Sequence, residues 1–302
     1  MTSIVIPAHN EGRVIGRLLD ALLADSADGS DIVVVCNGCT DDTAEVAGAR
    51  GPRVRVVDIP TPSKHTALRV GDEHARGFPR LYVDADVVLG ADGVRALVAA
   101  LDGTPEFLAA APGRDIPLAG CAWPVRAYYR VWQRLPAVRE GLFGRGVIAV
   151  TEAGHARIAA LPPLMADDLA ASLAFGRGER TVVESARVVV HPPRTWSDLV
   201  KRKVRAATSS AELEHVQAPQ APQAPQPQQP QAPQSTHAAP SARTGTADLR
   251  ALLRADPRLL PEVVVFVVAA LAARRGSRKA IRDGDFSTWL RDESSRQDTG
   301  SA

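Results

Sequence analysis

Along the first ninety residues, short apolar runs alternate with longer stretches whose apolar positions recur every three or four residues. The short runs predict strands over 3–7, 31–36, 54–59 and 80–83, and the longer ones predict helices over 11–24, 40–49 and 64–75. Regular strand–helix alternation argues a mostly parallel sheet with helices on both faces, an arrangement that gathers ligands at the carboxyl ends of the strands. Polar residues cluster at those ends: His9, Asn10 and Glu11 after the first strand, Asn37, Gly38, Thr40 and Asp41 after the second, Asp84 and Asp86 after the fourth. Asn37-Gly38 predicts a tight turn, and Thr40 is the expected cap of the next helix.

The pattern changes character twice further along. Residues 217–242 are Gln, Pro and Ala in near repetition, a composition that cannot bury apolar area and predicts a disordered or polyproline-like linker. Two or three helical patterns follow over 248–296. The expected organisation is an α/β domain over 1–216, a linker over 217–246 and a helical extension over 247–302. The most apolar stretch of that extension, 259–273, is interrupted by Pro261 and Glu262 and followed by Arg274, Arg275, Arg278 and Lys279. It is too short to span a bilayer and fits either a buried helix or a segment resting on an anionic membrane surface.

Composition narrows the class without choosing a reaction. The chain has 302 residues, 45% of them hydrophobic, and its 36 basic and 34 acidic residues leave a formal charge of +2. That balance gives no reason to expect nucleic acid as a partner. Three cysteines are too few for a disulfide scaffold. Cys36 and Cys39 have the spacing of a redox pair or of half a zinc site, but no second CxxC or nearby His pair completes a metal site, so packing cysteines are expected. The start Met1-Thr2-Ser3 enters a strand with no basic leader, so a cytoplasmic protein is expected, with contact at the inner membrane face left open.

The candidate chemistry begins at Asp84-Ala85-Asp86. If extended geometry persists through Asp86, both carboxylates project to one side and can serve one divalent ion. A solvated turn is the competing reading. A nicotinamide-dependent enzyme would carry a glycine fingerprint after the first strand, and residues 7–13 have none.

Taken together, these pieces resemble a known family. A strand ending in Pro7-Ala8-His9-Asn10-Glu11, a second running into Asn37-Gly38-Cys39-Thr40-Asp41, and a fourth ending in Asp84-Ala85-Asp86 are similar to the family 2 glycosyltransferases, which have the GT-A fold. Met165-Ala166-Asp167-Asp168-Leu169 continues the likeness, followed by an expected helix, a strand over 181–190, and His191-Pro192-Pro193-Arg194-Thr195. The resemblance covers residues 3–210, with the motifs in the family's order.

It implies an inverting, metal-dependent transfer of one sugar from a nucleotide diphosphate sugar to an acceptor hydroxyl. It further implies Mg²⁺ or Mn²⁺ as cofactor and a donor for which a UDP-sugar is favoured over a GDP-sugar. Carried over by position, Asp86 binds the ion and Asp84 serves the ion or the ribose. Pro7, Ala8, His9, Glu11, Asn37, Lys64 and Ala85 line the nucleotide pocket. Asn37 replaces the family's usual second Asp. Asp168 is the candidate base, with Asp167 in support. Arg145, Arg194, Arg202 and Arg205 are candidates for phosphate or acceptor contacts. The window from Arg202 to Ala206 lacks the Gln and Trp of processive members, which points to single-sugar transfer. Nucleotidyl transfer and a degenerate binding module are the alternatives. The acceptor is left open, and Trp123, Tyr128, Tyr129 and Trp132 are expected to pack a helix.

Overall fold

A computed structural model describes residues 1–25, 29–161, 167–217 and 244–282. In chain order the elements are β1 Ser3–Ala8, α1 Gly12–Leu23, β2 Asp31–Asn37, α2 Thr43–Gly48, β3 Val54–Ile59, α3 Lys64–His74, β4 Arg80–Val83 and β5 Val87–Leu89. They continue with α4 Ala91–Asp102, β6 Ala109–Asp115, α5 Trp123–Trp132, α6 Pro136–Glu140, β7 Val147–Val150, α7 Glu152–Ala159, α8 Asp167–Leu173, β8 Arg180–Val190 and α9 Trp196–Gln217. After α9 come α10 Thr246–Ala255, a 3₁₀ turn Pro257–Leu259, and α11 Leu260–Arg282. The predicted linker lies almost wholly outside the described residues, as does the helical pattern expected near Trp289.

One eight-stranded sheet runs β3-β2-β1-β4-β7-β6-β8-β5. The first four strands in this order are parallel, so the ends of β1, β2, β3 and β4 open on the same side. β7 is antiparallel to both its neighbours and β5 is antiparallel to β8. Alternation along each strand sorts its side chains to two faces. Ile4, Ile6, Ile32, Val34, Leu81 and Val83 pack with Ile15, Leu18 and Leu97 from α1 and α4 in the main core. Val33 and Val35 meet Ala67 of α3 on the other face. Gly71 lets α3 approach closely, since a Cβ there would lie 2.3 Å from Val5 Cγ1.

A separate core joins the C-terminal helices to the sheet domain. Tyr128, Tyr129 and Val125 of α5, Leu199 of α9, and Leu259, Val263, Phe266 and Ala269 bury against one another. Tyr128 stacks on Phe266 at 5.1 Å, and Gly276 of α11 sits against Val204 of α9. The expected packing role of the aromatic residues in α5 is therefore what the structure shows for Tyr128 and Tyr129.

Two local expectations are corrected. Thr40 does not cap α2; its N–H and hydroxyl donate to Asn10 Oδ1 at 2.7 and 3.3 Å, and the helix starts only at Thr43. Extended geometry also does not persist through Asp86. β4 ends at Val83, a turn carries Asp84 to Asp86, and Val87 N donates to Asp84 O at 3.4 Å.

Candidate active site

One end of the candidate site is built from two loops stitched to each other. Asn10 takes a left-handed backbone, φ 51°, which Asn tolerates better than most residues, and this turns its carboxamide toward Thr40. His9 Nδ1 donates to the Asn37 carbonyl at 2.6 Å, and Glu11 N donates to Thr43 Oγ1 at 2.8 Å. Asp41 receives Gly12 N and Thr43 N, each at 3.1 Å, and also the Thr43 hydroxyl. These hydrogen bonds outweigh the opposing effect of partial burial and hold the Asp41 pKa below its ordinary value.

Asn37 is buried. Its Nδ2 donates to Ala8 O at 2.7 Å and its Oδ1 accepts from Ser63 N at 3.0 Å, so the side chain ties three loops together and keeps one N–H uncommitted to these bonds. Burial, then the neighbouring Cys39, pushes the Cys36 thiol up to about 12, and Cys39 Sγ accepts from Asn10 N at 3.4 Å. Both cysteines are free thiols packed into the loop base.

Asp84 directly follows β4 and Asp86 directly precedes β5, and the turn that joins them sets different surroundings for each. Asp84 Oδ1 pairs with Lys64 Nζ at 2.8 Å, and its N–H donates to Gly146 O at 2.7 Å. Burial alone would raise its pKa, but Lys64, then Arg205 and Arg202 of α9, bring it below the usual value. Asp86 precedes β5, whose register pairs Val87 with Val190 of β8. His191 follows Val190 at the end of β8, as Asp86 precedes Val87, and the two lie within electrostatic reach of each other. Burial, then the Arg17 cation, hold the His191 imidazole below its normal pKa against the pull of Asp86, and Arg194 adds to the lowering. His191 is thus neutral at neutral pH.

The glycine loop after α6 joins these carboxylates to the candidate base. Gly144 N donates to Asp168 Oδ2 at 3.0 Å, while Leu142 N donates to Ser172 Oγ at 3.0 Å, so α8 is clamped to the loop. At Gly146, φ is 64° and a Cβ would stand 2.5 Å from Val87 Cγ1 and 3.3 Å from Asp84 Oδ2. The loop therefore touches Asp84 at one end and Asp168 at the other. The Asp167 side chain lies outside the described residues.

The arginines divide into two groups. Arg145 is 2% exposed and donates to the carbonyls of Gly141, Pro112, Val138 and Arg139. This corrects its expected acceptor contact: the guanidinium faces inward and holds the loop in shape. Arg202 Nη1 donates to His191 O at 3.3 Å, and Arg202 and Arg205 both act electrostatically on Asp84. Lys201 pairs with Asp198 at 3.0 Å.

His191 is the residue whose place the sequence did not disclose. It stands in the quoted His-Pro-Pro-Arg segment, but its meeting with Asp86 depends on the β5–β8 pairing, which joins segments a hundred residues apart.

Comparison with known proteins agrees with this geometry. Residues 3–155 match Glycosyl transferase family 2. An uncharacterized glycosyltransferase of Mycobacterium tuberculosis is 35% identical over 122 residues, 40% of this chain and 52% of that protein. The 4,4'-diaponeurosporenoate glycosyltransferase of Staphylococcus aureus is 36% identical over 103 residues, 32% of this chain and 27% of that protein. The chain thus spans about half the length of the mycobacterial relative and less of the staphylococcal one.

Among solved structures, the mannosyltransferase PcManGT of Pyrobaculum calidifontis, in complex with GDP-Man and Mn²⁺, superposes with a TM-score of 0.57 at 18% identity. That match covers 94% of this chain and 79% of that one. Glucosyl-3-phosphoglycerate synthase of Mycobacterium tuberculosis, with Mn²⁺, UDP-glucose and phosphoglyceric acid, gives 0.54 at 20% identity over 73% and 81% of the two chains. Sheet order, site geometry and family match converge: the chain has the GT-A fold and belongs to glycosyl transferase family 2.

Proposed function

We propose that this protein transfers a single sugar, with inversion, from a nucleotide diphosphate sugar to an acceptor hydroxyl. The observation that carries the proposal is the junction of β4, β5 and β8, where Asp84 meets Lys64, Asp86 and His191 flank the paired Val87 and Val190, and the glycine loop ties Asp84 to Asp168. The structural neighbours named above hold GDP-Man or UDP-glucose, which supports a nucleotide sugar as the donor class here.

The donor set suits Mn²⁺ or Mg²⁺. Among the described residues no three His, Cys, Asp or Glu side chains cluster as a closed metal cage, so protein ligands would be few and the remaining positions would fall to diphosphate oxygens and water, as these ions prefer. We assign Asp86 and His191 as the holders, with Asp84 serving the ion or the ribose. When bound, the ion neutralises charge on the departing diphosphate.

The chain's own residues do the rest. Lys64, Arg202 and Arg205 add positive potential beside the diphosphate. His9, Glu11 and the Pro7–Ala8 strand end frame the nucleoside together with Asn37. Asp168 accepts the proton of the acceptor hydroxyl as that oxygen forms its bond to the anomeric carbon. The bond from that carbon to the diphosphate breaks, and its electron pair leaves with the phosphate oxygen. One base on the face opposite the leaving group gives inversion.

Asp168→Asn separates binding from chemistry. Donor affinity, read by calorimetry with Mn²⁺, should stay within a few-fold of the parent while the transfer or slow-hydrolysis rate falls by roughly a hundredfold or more. Equal loss of binding and rate would assign Asp168 a structural role and contradict the proposed base.

A further inference from the structure

The outward face of α11 has an unusual distribution of side chains. Leu260, Val264, Val267, Val268 and Leu271 are 38–55% exposed. Their spacing of three and four residues places them in one stripe along a helix. The opposite face, with Val263, Phe266, Ala269 and Ala273, is the one buried against α5 and α9. Extending the same exposed stripe by one to three turns reaches Arg274, Arg275, Arg278 and Lys279, all exposed. Arg258 stands just before it. The stripe is therefore apolar along its N-terminal half and cationic at both ends.

The neighbouring helix accounts for the one acid of α11. Arg130 of α5 pairs with Glu262 at 3.2 Å while Tyr128 stacks on Phe266, so α5 runs antiparallel to α11. Glu262, the one acid of α11, is turned toward Arg130 and is mostly covered. Among the described residues of α11 the exposed charge is thus cationic throughout.

We propose that this face docks on an anionic lipid bilayer. Aliphatic side chains would enter the headgroup–acyl boundary, and the arginines would meet lipid phosphates. No helix of the described residues is long and apolar enough to cross the membrane, so the contact is peripheral. A second copy of this chain fits the face poorly. Pairing two α11 stripes in parallel opposes each cation with its twin, and pairing them antiparallel brings Arg258 onto the Arg274–Lys279 cluster. Phosphate headgroups complement the same charges. The helices that α11 packs on reach the candidate site, since Tyr129 of α5 receives Arg202 of α9 at 3.5 Å and Arg202 in turn donates to His191 O.

Vesicle co-sedimentation of the full chain, without donor or metal, tests this separately from any transfer activity. Binding is expected to vesicles of phosphatidylcholine mixed with phosphatidylglycerol, weaker binding to phosphatidylcholine alone, and a steep decline with added salt. R274Q/R275Q/R278Q should reduce the partition coefficient on the order of a hundredfold, since each cation near a charged surface contributes several-fold. V264S/V268S/L271S should reduce it at low and high salt alike. These positions are exposed, and near-ultraviolet circular dichroism would check that both variants fold; if the serine variant does not, the arginine variant decides alone. A parent protein that stays in solution with both vesicles would overturn the proposal, as would binding that the arginine substitutions leave unchanged. A dimer in light scattering, dissociated by the serine substitutions and indifferent to lipid, would give the face to a second copy instead.

Discussion

At the scale of single residues, charge is placed for two distinct purposes. Arg145 and Arg114 spend their donors on backbone carbonyls of β6, α6 and the glycine loop, and burial first of all lowers their guanidinium pKa values to about 10 and about 9. Both remain cations at neutral pH and serve as internal braces. Lys64, Arg202 and Arg205 instead converge on Asp84 at the mouth of the sheet. From the sequence an arginine in a glycine loop reads as a ligand contact, because no local pattern discloses that four carbonyls surround it. Asp41 belongs to the bracing group, and its pKa is depressed by the N–H and hydroxyl donors that it receives. A depressed carboxylate contributes stability above its unfolded pKa and loses it as pH falls through the folded value. Asp41→Ala should therefore unfold more readily than the parent at pH 7, with the gap narrowing below about pH 4. Chemical denaturation at several pH values measures it, and a gap independent of pH would show that the carboxylate charge contributes nothing.

At the scale of elements, the turn from Asp84 to Asp86 is the decisive piece. The first four strands and three helices were legible as runs and periodicities, since each buries a face set by local spacing. What the sequence left hidden was the break at Val83. The apolar residues on either side of Asp84-Ala85-Asp86 look alike whether they form one strand or two. Only long-range pairing, β4 with β1 and β7 and β5 with β8, separates them and delivers Asp86 to His191. The glycine loop holds that turn in place. Gly146→Ala must strain a positive φ and push against Val87, so a loss of about 1–3 kcal/mol in stability is expected. Donor affinity should fall alongside it by roughly tenfold, the effect of about 1.4 kcal/mol misplaced at Asp84. Denaturation and donor titration of the same variant test both, and a variant with parental stability and affinity would show that the loop does not position the turn.

Over the whole molecule, two cores divide the labour. The sheet core, with α1 and α4 on one face and α3 on the other, opens four parallel strand ends on one side, where we propose the nucleotide binds. The second core, of α5, α9 and α11, brings Arg202 and Arg205 to Asp84 and leaves an apolar and cationic face outward. Periodicity announced the C-terminal helices, and the family resemblance announced the strand ends. Neither announced that the extension packs behind the site, because its partners in α5 and α9 are distant in sequence.

The central claim, that Asp86 and His191 jointly hold the divalent ion that a nucleotide sugar brings to this site, is tested most directly by isothermal titration of the full chain with a UDP-sugar and GDP-sugar panel, with and without Mn²⁺. The account predicts binding of a nucleotide sugar that requires Mn²⁺ and is weakened at least about tenfold by Asp86→Ala and by His191→Ala. Binding that persists unchanged without the ion and in both variants would contradict it.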